Sequence, residues 1–384
     1  MGETLRKLTI EGYKSIRSLT DFDLRGLNVL IGSNGAGKTN FVGFFRLLND
    51  LIHQRLQTAL AVEGGADACL FMGPKETARL EGKLYFGSNG YEFSLVPTHD
   101  GRLVFGDEVT YFKGKYGIDR HTLGSGHAEA KLKEHKDEPG RSGALKGISH
   151  YVFEAIGSWV VYHFHDTSFN AGVRRPRSIN DNVALRFNAD NIAPFLYRIA
   201  STSPSSYARI RDVVRLAAPY FDDFLLRPMP TSSEMIQLEW RQRGSDYPFR
   251  ANQLSDGTLR FICLATALLQ PSPPPTMLFD EPELGLHPYA ITLLGNLFQQ
   301  FVSTSFRQAI ISTQSAALLS EFAPEDVIIV ERTNGESQFR RLQSEDLSEW
   351  LQEYSLGDLW QKNILGARPG NEQAPRPMLN GGAI

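Results

Sequence analysis

The stretch Leu27 to Thr39, "LNVLIGSNGAGKT", runs a short apolar segment directly into a glycine-rich loop. An apolar run of this length that ends in glycine predicts a buried strand followed by a loop. From Asn40 to about Leu60 the residues Phe41, Phe44, Phe45, Leu48, Leu51 and Ile52 recur at helical spacing, so a helix should follow at once. A loop of the form G-x-x-x-x-G-K-T between strand and helix suits a polyphosphate. Small residues from Gly32 through Ser33, Asn34, Gly35, Ala36 and Gly37 let backbone N–H groups converge on phosphate oxygens. Lys38 can reach the β- and γ-phosphates, and Thr39 can place its hydroxyl on Mg²⁺. The chain therefore carries a nucleoside triphosphate site.

Before this loop, "LRKLTIEGYKSIRSLTDFDLRG" alternates apolar and polar residues and predicts strands. After it, from about Ala78 to Phe112, "RLEGKLYF" and "YEFSLV" are separated by "GSNG" and "THDG", the pattern of antiparallel hairpins in a side sheet. Lys113 to Lys146 is polar and reads as a solvated excursion, with one short helical candidate, "HAEAKLKEH". Residues 185 to 227 look helical, and "MIQLEW" reads as a strand. Then come a helix through Leu269, the strand "TMLF", the helix "YAITLLGNLFQQF", the strand "QAIIST" and a strand pair around "DVIIVERTNGESQFRRL". Strands alternating with helices predict an α/β fold with a mostly parallel sheet. Beyond Gly366 the chain is dense in Gly and Pro and should be a flexible tail.

The length of 384 residues allows about two to three domains. No apolar run approaches the roughly 20 residues that cross a bilayer, and the N-terminus has no signal-peptide pattern, so a cytoplasmic location is expected. Cys69 and Cys263 lie far apart among apolar neighbours and should be buried thiols. A net charge of −3 says nothing about nucleic acid, because a near-neutral balance can hide a basic face.

Two further motifs bear on the chemistry. In "MLFDEPE" an apolar strand delivers Asp280 to the sheet edge, where it can hold the Mg²⁺ shell, and Glu281 is placed to orient or deprotonate a water. An acidic pair of this kind suggests hydrolysis rather than transfer to a substrate. The second is "LSDG", which puts Ser255, Asp256 and Gly257 at a helix N-terminus, where a hydroxyl, free amides and the helix dipole favour a γ-phosphate. If that helix faces away from its own phosphate loop, it meets the ATP of another copy. Two chains then sandwich two nucleotides.

In the order phosphate loop, "LSDG", "DEPELGLHP", the chain resembles the ABC-type ATPases, specifically the RecF/SMC/OLD branch that works on DNA. Asn34 and Asn40 in "GSNGAGKTN" are similar to that branch's form of the loop. The resemblance implies an ABC-type P-loop NTPase head, with a mixed, mostly parallel sheet, an antiparallel side sheet and an inserted, mainly helical lobe. It divides the chain into a first half of the head (1–112), the lobe (113–228), a second half (229–345) and a C-terminal helix and tail (346–384). It further implies that Gly32 to Asn40 bind ATP, that Thr39 and Asp280 serve Mg²⁺, and that Glu281 is the base. Ser255 and Gly257 would act in trans, and Leu284 to His287 would communicate between the two sites. With "FHDTS", "STQS" and "YSLGDLWQKNILGARP" the chain looks like a stand-alone bacterial OLD-like ATPase without a TOPRIM nuclease. Such proteins are typically encoded beside a small TOPRIM-like partner, in contexts of defence against phage or plasmids.

Two positions depart from the family pattern. Gln314 in "STQS" stands where a γ-phosphate-sensing histidine is expected; it can donate a hydrogen bond or position water but cannot carry a proton as imidazole does. The glutamine usual on the loop between the halves is missing around "LFMGPKET". Other residues read as structural. His163 and His165 in "HFHD" share one face of a strand, as some metal sites require, but no cysteine or His/Glu cluster accompanies them in sequence. The cluster "VRRPR", Arg174 to Arg177, could grip a DNA backbone or an acidic partner, or form a solvated loop. Lys131, Lys133, Lys136, Arg141 and Lys146 are diluted by Glu129, Glu134, Asp137 and Glu138. Glu331 ends a strand and has no Asp-x-Asp after it, so a nuclease within this chain is not expected.

These readings converge on a Mg-dependent ATP hydrolase that pairs as a homodimer or higher oligomer and gates a separately encoded effector, a TOPRIM-like nuclease or toxin, with double-stranded DNA as a further partner. The alternatives are a nucleotide-gated scaffold or DNA clamp with little turnover, or a RecF-like DNA repair ATPase. Nothing suggests a groove for a membrane domain.

Overall fold

The computed structural model describes residues 4–115, 117–140, 145–304 and 306–366. In chain order the first part forms β1 (Lys7–Tyr13), β2 (Ile16–Asp23), β3 (Leu27–Ile31), α1 (Lys38–Ile52), α2 (Leu56–Glu63), α3 (Ala66–Cys69), β4 (Leu80–Phe86), β5 (Asn89–Pro97), β6 (Leu103–Gly114) and β7 (Gly117–Gly124). The middle part forms α4 (Ile148–Gly157), β8 (Val160–Tyr162), β9 (Arg177–Ser178), α5 (Ile192–Thr202), α6 (Pro204–Ala217), β10 (Phe221–Leu225), β11 (Pro228–Met229), β12 (Ser232–Ile236), β13 (Glu239–Gln242) and β14 (Phe249–Arg250). The last part forms α7 (Asp256–Leu269), β15 (Thr276–Asp280), α8 (Pro288–Val302), β16 (Gln308–Thr313), α9 (Ala316–Leu319), β17 (Val327–Thr333), β18 (Glu336–Arg341) and α10 (Leu356–Gln361).

The central sheet has the order β18-β17-β3-β16-β15-β8 and is parallel except for the β17–β18 hairpin. Both of its faces are covered. Val29, Ile31, Phe279, Ile311 and Ile329 point into one core, with α5 to α10, while Leu30, Leu278, Ile310 and Ile328 point into the other, with α1 and α4. Strands buried on both faces read as unbroken apolar runs, which is why these were visible in the sequence. The α/β, mostly parallel expectation holds.

The side sheet, β2-β1-β4-β5-β6-β7, is antiparallel throughout and continues through β7 into the stretch expected to be a solvated excursion. There "HAEAKLKEH" forms turns instead of the predicted helix. The reason is Glu108, whose side chain is fully buried and whose carboxylate accepts from the backbone N–H of Lys131 (2.9 Å) and Leu132 (3.2 Å), from Tyr91 Oη (2.8 Å) and from His127 Nε2 (2.8 Å). Side chain to backbone bonds of this kind compete with a helical ladder.

Three other expectations shift. The helix after the phosphate loop stops at Ile52, because Gln54 takes φ 60° and Glu129 accepts from the N–H groups of Leu56 (2.8 Å) and Gln57 (3.0 Å) to start α2 afresh. The helical pattern over 185 to 227 ends at Ala217: Pro219 keeps Ala218 out of the helical region, and "FDDFL" becomes β10, paired with β13. "MIQLEW" divides between β12 and β13, which join two different three-stranded sheets. The tail expected past Gly366 lies outside the described residues. Cys69 and Cys263 are free and buried, and burial pushes both thiols up to about 12. No helix among the described residues is long and apolar enough to cross a membrane.

Candidate nucleotide site

The strand register decides which motifs meet. In β16, Ser312 pairs with Asp280 of β15 and Thr313 with Ile31 of β3, while Ile31 also pairs with Ile329 of β17. "GSNGAGKT", "DEPE" and "STQS" therefore leave the sheet at the same carboxyl edge, where open α/β sheets bind ligands.

The phosphate loop turns into α1 at Gly37, which has φ 117°; a Cβ there would lie 2.0 Å from Ser337 Oγ, so only glycine fits. Ser337 Oγ donates to the Ala36 carbonyl (2.6 Å) and pairs with Ser15 Oγ (2.7 Å), and the Asn40 amide donates to Ser15 (2.6 Å). Asn40 thus fixes the flank of the loop. Lys38 is buried, and its ammonium donates to the carbonyls of Gly32 (2.7 Å) and Ser33 (3.1 Å). Burial pulls its pKa below the ordinary lysine range, against the opposing pull of Glu281, Asp280 and Glu283. Asn34, Gly35 and Thr39 are exposed at the mouth, Ser33 is half-buried and Ala36 is buried. Beside the loop lies a pocket of about 550 Å³ lined by Lys14, Ser15, Asn40, Met72 and Arg332. Of this flank only Asn40 was singled out from the sequence, since the other residues come from three separate stretches.

At the end of β15 the Asp280 carboxylate accepts from the Ser312 hydroxyl. The next residue, Glu281, has φ 44°, a left-handed conformation uncommon for a side chain of this size, and its N–H donates to the Ser312 carbonyl (2.9 Å). Its carboxylate accepts from the side-chain amide of Gln314. Gln314 is thus bonded to the glutamate of the acidic pair. Glu283, not singled out from sequence, is buried; it accepts from Thr313 Oγ1 (2.5 Å) and the Gln314 N–H (3.3 Å), while its other oxygen is buried without a partner. Burial raises its carboxyl above the usual range.

Ser255, Asp256 and Gly257 do not join this edge cluster. Ser255 caps α7, its exposed hydroxyl accepting from the Thr258 N–H (3.1 Å). A Cβ on Gly257 would lie 2.2 Å from the Gly285 carbonyl oxygen, so the helix start packs directly on the segment after "DEPE". The pocket at Ser255, about 290 Å³, shares no lining residue with the pocket beside the phosphate loop. Two arginines hold this region, and neither signalled its role in sequence. The Arg174 side chain is 5% exposed; it donates to the carbonyl of Thr167 (2.8 Å) and pairs with Asp256 (2.6 Å), and it also bonds the Ala251 carbonyl. Buried Arg260 donates to the carbonyls of Phe164 (2.9 Å) and His165 (3.1 Å) and to that of Leu284.

The remaining tempting residues divide. Within "VRRPR", Arg174 is internal and Arg177 pairs with Asp190 (2.6 Å), while Arg175 is exposed and bonds Asn170 (3.1 Å). Glu129 caps α2, Lys146 pairs with Asp137 (3.8 Å), and Arg141 lies outside the described residues. Glu331 sits within β17, opposite Gln338. His163 and His165 do share a face, their rings stacked 4.3 Å apart at 12°. Because β8 pairs with β15, they also stand beside Asp280, a neighbour 115 positions away for His165.

An acidic, partly exposed cluster at a phosphate-binding loop can take Mg²⁺. Thr39 and Asp280 fit that ion: the hydroxyl is exposed, and the carboxylate is half-buried with a hydroxyl donor on one oxygen. Among solved structures the chain is similar to an Smc head bound to the C-winged helix domain of ScpA, at 15% identity and TM-score 0.57, covering 90% of this chain and 99% of that one. It is likewise similar to an Smc head with an extended coiled coil, bound to the C-terminal domain of ScpA derived from Pyrococcus furiosus, at 14% identity and TM-score 0.55, covering 91% and 99%. At such identities the likeness is one of fold. No curated protein matches the chain. Residues 129–320, half of the chain, match the AAA_21 family, described as "AAA domain, putative AbiEii toxin, Type IV TA system". The chain belongs to that family, and its fold is that of an ABC-type ATPase head of the RecF/SMC branch.

Proposed function

We propose that the protein is a Mg-dependent ATP hydrolase of the cytoplasm that closes on ATP as a homodimer or higher oligomer and thereby gates a separately encoded effector, a TOPRIM-like nuclease or toxin, in defence against phage or plasmids. The observation that carries this reading is the meeting of Lys38, Asp280, Glu281 and Gln314 at one edge of the parallel sheet. Residues Gly32 to Asn40 would cradle the phosphates, with Lys38 leaving its loop carbonyls for the β- and γ-oxygens. Thr39 and Asp280 would hold Mg²⁺, which when bound offsets charge on the phosphates. Glu281 would accept the proton of the attacking water, and Gln314 would hold that carboxylate in place. Ser255, Asp256 and Gly257 of the second copy would complete the pocket at the γ-phosphate. Double-stranded DNA is a further proposed partner. The Smc heads that the chain resembles were solved with part of ScpA bound, which supports a protein partner of some kind here.

One observation favours a second reading, a nucleotide-gated scaffold or clamp with little turnover: the Gln314 amide engages Glu281 and cannot carry a proton. Phosphate release separates the two. A hydrolase should exceed its Glu281→Gln control by at least about a hundredfold, whereas ATP-dependent oligomerisation with equal, negligible release in both proteins would establish the scaffold. Absence of ATP binding in the wild type would end both readings. Co-purification with the products of neighbouring genes, with and without ATP, tests the effector.

A further inference from the structure

We propose that His163, His165 and Asp280 form a second kind of cation site in this chain, one that takes a borderline divalent transition metal such as Zn²⁺ or Co²⁺ in preference to Mg²⁺. One ligand atom from each of these three residues lies within 4.8 Å of the others. Around a tetrahedral metal with Zn–N bonds of 2.0–2.1 Å, ligand atoms stand about 3.3 Å apart, so the three groups need only a short closure. Two imidazoles and one carboxylate make a three-ligand set with a fourth position open, and imidazole suits zinc-like metals whereas Mg²⁺ takes oxygen.

The rings stack 4.3 Å apart at 12° on one face of the extended chain, so they must tilt toward each other to converge on one ion. Two details support ligation over mere packing. His165 Nε2 lies 2.7 Å from the Asp280 carbonyl oxygen and must be the protonated nitrogen there, which leaves the lone pair on Nδ1. A histidine whose second nitrogen donates to a backbone carbonyl is oriented as metal-binding histidines usually are. His163 Nδ1 is buried with no hydrogen-bond partner, so the described residues alone do not satisfy that ring. A pocket of about 350 Å³ lined by His163, Arg46, Asn49 and Asp50 lies beside the ring.

The carboxylate involved is the one assigned above to the Mg²⁺ of the nucleotide. The inference rests on that assignment only for its consequence, that a transition metal and Mg-ATP compete for Asp280. The site itself is tested without nucleotide. Full-length protein titrated with Co²⁺ should develop the visible absorption of nitrogen-ligated, low-coordinate cobalt at one ion per chain. Zn²⁺ should displace the cobalt, and Mg²⁺ in about a hundredfold excess should not. His163→Ala and His165→Ala should each weaken Co²⁺ binding at least about tenfold, with His163→Gln and His165→Asn as milder variants if alanine disturbs folding as judged by circular dichroism. Unchanged affinity in folded histidine variants, or a wild type showing only the weak spectrum of six-coordinate oxygen-bound cobalt, would overturn the proposal. ATP binding, measured separately with Lys38→Ala as control, reports on the ATPase reading alone. Either result can fail without the other.

Discussion

At position 257 an alanine Cβ would sit 2.2 Å from the Gly285 carbonyl oxygen, closer than real Cβ contacts come, so α7 or the segment after "DEPE" must move. Ser255 caps the same turn and would move with it. Gly257→Ala should therefore cost about 1–3 kcal/mol of stability and lower phosphate release at least about tenfold, with ATP affinity of single chains within about twofold of wild type. Wild-type turnover in a variant with the expected stability loss would show that the position of this helix start does not matter. Glu283 poses a different question, one of charge. Burial, the largest influence, raises its carboxyl above the ordinary 4.5, so over the interval from there up to its raised value the folded chain holds a proton that the unfolded chain has released. Stability must then fall as pH rises through that interval. Glu283→Gln removes the slope and offers N–H donors where one oxygen has no partner. Melting temperatures between pH 5 and 8 should vary less in Glu283→Gln than in the wild type, and parallel curves would mean that Glu283 is ionised in the fold throughout.

Among the elements, legibility followed distance along the chain. β3, β15, β16 and β17 were readable because burial on both faces writes itself as an apolar run, and the phosphate loop and the acidic pair because their chemistry is local. The end of α1, the turns after β7 and the strand β10 were not. The first is set by Glu129, the second by Glu108 and the third by pairing with β13; only the proline ahead of β10 was a local signal. The same holds at the site. Arg260 reaches Phe164, 96 residues back, and "HFHD" meets Asp280 only because β8 returns to the central sheet. Strand order thus brings the histidine pair beside a carboxylate more than a hundred residues away. Glu108 offers the clearest test of such long-range control: Glu108→Ala strands four donors in the interior and should destabilise the fold by about 3–5 kcal/mol. Glu108→Gln should recover part of that, and amides in 127–138 should lose exchange protection first. Urea unfolding that matched the wild type would mean that the turns hold without the carboxylate.

Across the whole molecule, hydrogen bonds join the start of α7 and the carboxyl edge of the central sheet into one body. Arg260 ties α7 to the Leu284 carbonyl and to the carbonyls of Phe164 and His165, and His165 bonds the carbonyl of Asp280. On that body Phe169 is 76% exposed beside Ser255, and Leu284 is 49% exposed on the segment against which Gly257 packs. Single exposed apolar residues are ordinary. Here, however, both lie next to the helix start that the in-trans reading of Ser255 requires to be covered. A two-fold interface repeats each residue, so one new carboxylate per chain brings two desolvated negative charges into the closed assembly. Phe169→Glu and Leu284→Asp should each abolish the ATP-dependent dimer, followed by light scattering in a Glu281→Gln background that traps it. In the Glu281 parent each should lower phosphate release at least about tenfold, while ATP affinity of the monomer stays within about threefold. Ser255→Arg should behave the same way. If Phe169→Glu still pairs on ATP and turns over as the wild type does, the closing face lies elsewhere and Ser255 does not complete the pocket of a second copy.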